Sequence, residues 1–359
     1  MTRRRTVWMV VAVLLLAAVA IRLLLPGIVR DSLNARMASM GDYTGSVQDV
    51  SLAIWRGAYR LRDLRIEKAT GDLAVPLLEA PRVGISISWN DLLRGAVVAE
   101  VLFDGPTVHF VDGVSTGDSQ AGTGVDWRAR LADLVPIRID EVRIRDGRVV
   151  FHNFVSDPPV NLEATQVQAR IDNLTNVRDA DDRRAAELEA EARLFDSADL
   201  EASARFDPIG RPDDFQFALR ILDIELTRLN DLAQAYAALD FESGNGEFVM
   251  ELEARDRQLS GYAKPLLQNL QIFSWQSDVV EASKNPFRIA WEAVAEGVTR
   301  LFRNAPADQF ATRIEIRGEL GDAELGTWGA ILGILRNAFV EALQPYFEGT
   351  RLGRRPDSD

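Results

Sequence analysis

Five residues of this 359-residue chain spell a hydrolase motif: Gly113-Val114-Ser115-Thr116-Gly117 fits G-x-S-x-G. A nucleophile elbow needs that turn to join a strand to a helix. The segment that follows, Asp118 to Gly124, is rich in Gly, Ser and Thr and has no helical pattern, and His109 lies before the serine, on the preceding strand. Ser115 is therefore read as part of a connector loop, and no catalytic residue is assigned. The two histidines, His109 and His152, each sit beside a strand aromatic (Phe110, Phe151) and read as half-buried or outward strand residues. With no cysteine in the chain, neither a disulfide framework nor a thiolate zinc site is expected, and no metal or cofactor is assigned. No phosphate-binding P-loop, dinucleotide fingerprint or H-E-x-x-H occurs. The carboxylates alternate with apolar residues, as on a solvated sheet face, and no two of them form an evident acid–base pair. A net charge of −13 argues against a nucleic-acid partner, whose phosphates call for a basic face.

The charge is unevenly placed. Residues 1–30 hold Arg3, Arg4, Arg5, Arg22 and Arg30 and no acid. Val7 to Leu25 is an apolar run broken only by Arg22. As a helix it would rise about 28 Å, close to a bilayer's hydrocarbon core. An uncleaved transmembrane anchor over residues 1–30 is expected, with the arginines cytoplasmic and the remaining chain on the far side. Ala18-Val19-Ala20 leaves a cleaved signal peptide open as the alternative, and both readings export the body.

From Tyr43 onward, short segments alternate at period 2 between turn residues, predicting a mainly β body over 31–284 with roughly sixteen strands. Candidate residues for one apolar face are Val83, Ile85 and Ile87; Val142 and Ile144; Val149 and Phe151; and Phe248, Met250 and Leu252. Asp146-Gly147, between two of these runs, predicts a hairpin turn. Tyr59–Glu67 and Ile137–Arg145 share a loose R-x-R/D-x-x-R-I rhythm that hints at a repeat. Helical spacing predicts a short helix over Leu229 to Leu239 and two amphipathic helices within 285–347, with a strand near Ile314 between them. The second places Trp328, Ile331, Leu332, Leu335 and Phe339 on one face, for a membrane or partner contact or as a plug for the sheet end. Residues 348–359 read as a disordered tail.

Several segments carry a resemblance. Val142-Arg143-Ile144-Arg145-Asp146-Gly147-Arg148-Val149-Val150-Phe151 is followed by Asn173-Leu174, Leu229-Asn230, Gly261-Tyr262-Ala263-Lys264-Pro265-Leu266-Leu267 and Arg336-Asn337-Ala338-Phe339-Val340-Glu341-Ala342-Leu343. In that order they resemble the short members of the bacterial AsmA-like superfamily. The resemblance implies an inner-membrane protein facing the periplasm, without enzymatic activity. Its fold would be a long antiparallel β-sheet curled into an apolar groove. Its expected partners are phospholipid, the inner membrane and other envelope proteins, and its expected role is outer-membrane lipid homeostasis. The residues alone leave a closed β-sandwich acting as a scaffold or assembly factor open beside the groove.

Overall fold

A computed structural model describes residues 2–53, 57–70, 73–87, 98–113, 118–120, 138–174, 186–207, 214–237, 240–273, 309–311 and 313–319. Ser115, the two C-terminal amphipathic helices with Trp328, Ile331, Leu332, Leu335 and Phe339, and the tail lie outside these residues. Helix α1 (Thr2–Met37) leads into β1 (Tyr43–Ala53), β2 (Ala58–Lys68), β3 (Leu78–Ile87), β4 (Val98–Asp104) and β5 (Thr107–Val111). Then come β6 (Arg138–Asn153), β7 (Val160–Asp172), β8 (Ala186–Leu194), β9 (Ala198–Phe206) and β10 (Phe215–Glu225). A 3₁₀ turn (Leu226–Leu229) and helix α2 (Asn230–Ala237) precede β11 (Asp240–Arg255), β12 (Gln258–Phe273), β13 (Gln309–Ala311) and β14 (Ile314–Glu319).

All fourteen described strands belong to one large, curled sheet, in the order β1-β2-β3-β4-β6-β7-β8-β9-β10-β11-β12-β13, with β14 also on β12 and β5 between β3 and β6. They do not divide into two facing sheets. Pairing is antiparallel except at β6, which runs parallel to both β4 and β5. The all-antiparallel expectation therefore fails at one seam, where the chain crosses over before re-entering the sheet at β6.

A crease crosses the sheet. Asp63 in β2, Asp146 in β6, Gln166 in β7, Asp223 in β10 and Asn269 in β12 all have φ between 50° and 57°, inside strands. Register shifts fall beside Asp146, Gln166 and Asp223. Each left-handed residue bulges its strand and reverses which alternate residues face inward. Asp146-Gly147 is thus not a hairpin turn, as the sequence predicts, but a bulge in the middle of the sixteen-residue β6. Gly147 is required there, because a Cβ would lie 2.8 Å from Ile144 Cγ2.

Helix α1 docks through its last turns. Val29, Leu33 and Met37, four residues apart, face β1 together with Met40 and Tyr43. Beside them the Asn34 amide brackets Val47 of the edge strand: Val47 N–H donates to Oδ1 at 2.8 Å and Nδ2 donates to Val47 O at 3.1 Å. The device recurs at α2. Leu229-Asn230 stands as Leu33-Asn34 does, with Leu229 buried, and the Asn230 amide brackets Phe241 at 2.8 and 3.0 Å. Each bracket completes a backbone pair that the ladder leaves open. Asn34→Ala and Asn230→Ala should each lower stability by about 2 kcal/mol, two lost hydrogen bonds' worth. Urea denaturation followed by circular dichroism checks both. The losses should add in the double variant, because the two sites share no partner.

Upstream of the docked turns, α1 carries exposed apolar side chains all round: Trp8, Met9, Leu15, Leu16, Leu23 and Leu24 are each at least 62% exposed. Its side chains at 2–7, 14, 17, 18, 20 and 21 lie outside the described set, and among the described residues no helix is long and apolar enough to cross a membrane.

Candidate functional site

Residues paired across a β-ladder point to the same face, so the register traces each face strand by strand. On one face, Val50 of β1 opposes Leu61, then Val83, Phe103, Ile144 and Ala169. The row continues through Ala190, Ala202, Leu219, Met250 and Ala263 to Ile314 of β14. Twelve strands contribute, and every residue is apolar. The next row on that face runs Leu52, Tyr59, Ile85, Val101, Val142 and Ile171. It goes on through Leu188, Ala204, Phe217, Leu252 and Gly261 to Ile316. Together the two rows make an unbroken apolar belt, about 53 Å long measured along the sheet at the usual strand spacing.

The row between them points to the other side, and its character is opposite. Ser51, Arg60, Arg143, Arg170, Glu189, Ser203, Glu251 and Glu315 stand on it. That face carries cross-strand ion pairs: Arg65–Glu79 at 2.6 Å, Arg148–Glu163 at 2.9 Å and Arg205–Glu187 at 3.2 Å. Exposed as they are, each contributes well under about 1 kcal/mol, and their effect is to keep that face in water. Two shallow depressions have volumes of about 390 and 260 Å³; Arg205, Glu253, Phe217 and Leu252 help line the first, and Arg170, Glu191, Ile144 and Ala169 the second. Each takes in residues of the belt as well as of the charged face.

Along the belt, burial is uneven. At the β1–β3 end Val50, Leu61, Val83 and Ile85 are buried, and at the β10–β12 end so are Phe217, Leu219, Met250 and Leu252. Between these clusters the first row is half-exposed, at Phe103 and Ile144, and then also turns small, at Ala169, Ala190 and Ala202. Bulky side chains at both ends flank an alanine-lined middle. The Tyr59 hydroxyl brings a polar atom into this apolar face; burial pushes its pKa up to about 12, so the phenol stays neutral at all physiological pH. No group of three or more metal-ligating side chains is found among the described residues.

The structure brings most of the sequence-derived candidates together. Val83, Ile144 and Met250 lie on the first row, and Ile85, Val142 and Leu252 on the second. Ile87 continues the face through Ala99 to Ile139, and Phe248 flanks the belt opposite Ile221. Val149 and Phe151 lie beyond the crease; the bulge at Asp146 keeps them on the face of Val142 and Ile144, and they oppose Val108 and Phe110 of β5. The sequence reading misses Phe103, Ala169, Ala190, Ala202 and Tyr59. Ala190 does alternate with Glu189 and Glu191, but alanine alone is too weakly apolar to mark a face. Compared with protein-family models and with curated proteins, the chain matches none.

Proposed function

We propose that this protein binds phospholipid and passes its acyl chains along the apolar belt, with α1 as its membrane anchor. The observation that carries the reading is the pair of unbroken apolar rows across twelve strands, backed by a charged reverse face. An acyl chain laid on such a belt gains about 0.8 kcal/mol per buried CH₂, with no demand for a fixed register. Lipid tails therefore suit it better than a ligand that needs directed hydrogen bonds. Val29, Leu33 and Met37 of α1 pack into the same apolar cluster as Val50, Leu61 and Val83, so a bilayer around the exposed apolar part of α1 would lie next to the β1 end of the belt. The resemblance to AsmA-like proteins points the same way, to an inner-membrane anchor, a periplasmic body and a part in outer-membrane lipid homeostasis.

The test uses photo-crosslinking residues in the full-length protein in cells. Probes at Ile144 and Ala202, on the belt, are expected to capture phospholipid, and a probe at Ser203, on the charged face, is not. Protein adducts alone at Ile144 and Ala202 would replace lipid handling with a scaffolding role.

A further inference from the structure

The chain's two histidines, far apart in sequence, meet on the charged face above the crease. His109 of β5 and His152 of β6 have Nδ1 and Nε2 3.1 Å apart. Their rings stack at 5.4 Å between centroids, and Phe154 continues the stack at 4.8 Å from His152. We propose that this pair is an acid-sensitive clasp that holds β5 on β6 and releases it when both imidazoles are protonated.

The chemistry is that of one shared proton. A 3.1 Å contact between two imidazole nitrogens needs one N–H donor and one bare lone pair. With both rings protonated at these nitrogens, two N–H groups point at each other and the contact cannot survive. The neighbours do not relieve that repulsion. Glu79 of β3 and Glu163 of β7 act on His109, but Arg65 of β2 and Arg148 of β6 act on it too and are ion-paired with those same carboxylates. Burial lowers both imidazoles below the ordinary value, and His109 lowers His152 further. The sign follows. The clasp's stabilisation is complete above about pH 6.5 and is lost as pH falls through the lower folded values.

What the clasp holds is a small strand at a seam. β5 has five parallel partners in β6 and two antiparallel partners in β3. Above the crease it is the described strand that joins the β1–β3 panel to the β6–β12 panel. The His109 carbonyl accepts from Gln120 Nε2 at 3.0 Å, and the His152 carbonyl accepts from Asp112 N–H at 2.8 Å, so the segment leaving β5 is fastened at the same point. Releasing the clasp frees this seam whatever the belt carries.

Hydrogen–deuterium exchange of the full-length protein in detergent, corrected for the intrinsic pH effect, tests the clasp. Between pH 7.5 and 5.0, protection of Thr107–Val111 should fall about ten-fold, one hydrogen bond's worth, while Phe215–Ile221 stays unchanged. In the His109→Gln/His152→Gln variant the fall should vanish. An equal fall in that variant, or none in the wild type, overturns the proposal. Should the variant not fold, imidazole NMR of the wild type decides: two coupled steps below 6.5 support the clasp, and independent titrations at or above 6.5 overturn it.

Discussion

Met250→Asp is expected to leave little or no folded protein. Met250 is fully buried at the β10–β12 end of the first belt row, between Leu219 and Ala263, with Phe217 and Leu252 close by. A carboxyl group there loses its hydration and finds no partner among apolar neighbours, and it also leaves part of the methionine's volume empty. The two effects together cost about 4 kcal/mol or more, a large share of a typical domain's stability. The same change at Ser51 makes the contrast. Ser51 is exposed on the charged face opposite Arg60, where an added carboxylate meets water and a guanidinium. Ser51→Asp should stay within about 0.5 kcal/mol of wild type. Soluble yield after detergent extraction and urea midpoints measure both. Equal tolerance of the two substitutions would mean that the belt is not an apolar interior.

Ala202→Glu is expected to remove bound lipid without removing the fold. Ala202 stands in the half-exposed middle of the belt, where a longer side chain has room to extend. Glutamate there keeps its charge partly hydrated, but it puts that charge in the path of an acyl chain. Co-purifying phospholipid, counted by native mass spectrometry, should drop at least about ten-fold, since one ionised group amid hydrocarbon costs more than about 1.4 kcal/mol. Ala218→Glu, on the opposite face between Ser203 and Glu251, should keep its lipid. A full lipid complement in Ala202→Glu would dismiss the belt as the lipid path.

The strands were legible because alternation is a local property: Val83-Gly84-Ile85 or Phe248-Val249-Met250 announces a face within a few residues. Two features were not legible, for one shared reason. The crease reverses the alternation at single residues such as Asp146 and Gln166, and a strand's own pattern does not say whether an Asp-Gly pair turns the chain or bulges it. The neighbouring β5 and β7 decide that, by pairing with β6 beyond Gly147. Likewise β6 reads as one more amphipathic strand, and nothing in it shows that its partner β4 runs parallel. The alanine row was hidden differently. Ala169, Ala190 and Ala202 gain meaning only when three strands lay them side by side. The histidine pair likewise required two strands to meet.

The strand order has a kinetic meaning. From β1 to β4, and again from β6 to β12, each strand pairs with the one made just before it. Most strand pairings are therefore short in sequence, the property that speeds folding. A chain emerging from its N-terminus lays down this sheet vectorially, each new strand docking on a template already in place. The first edge is fastened before it forms, because Asn34 precedes Val47. Growth halts once among the described strands, at β5, whose main partner β6 is still to come. The nascent sheet waits there with an unfinished edge, so this seam is where a chaperone would have the longest time to act.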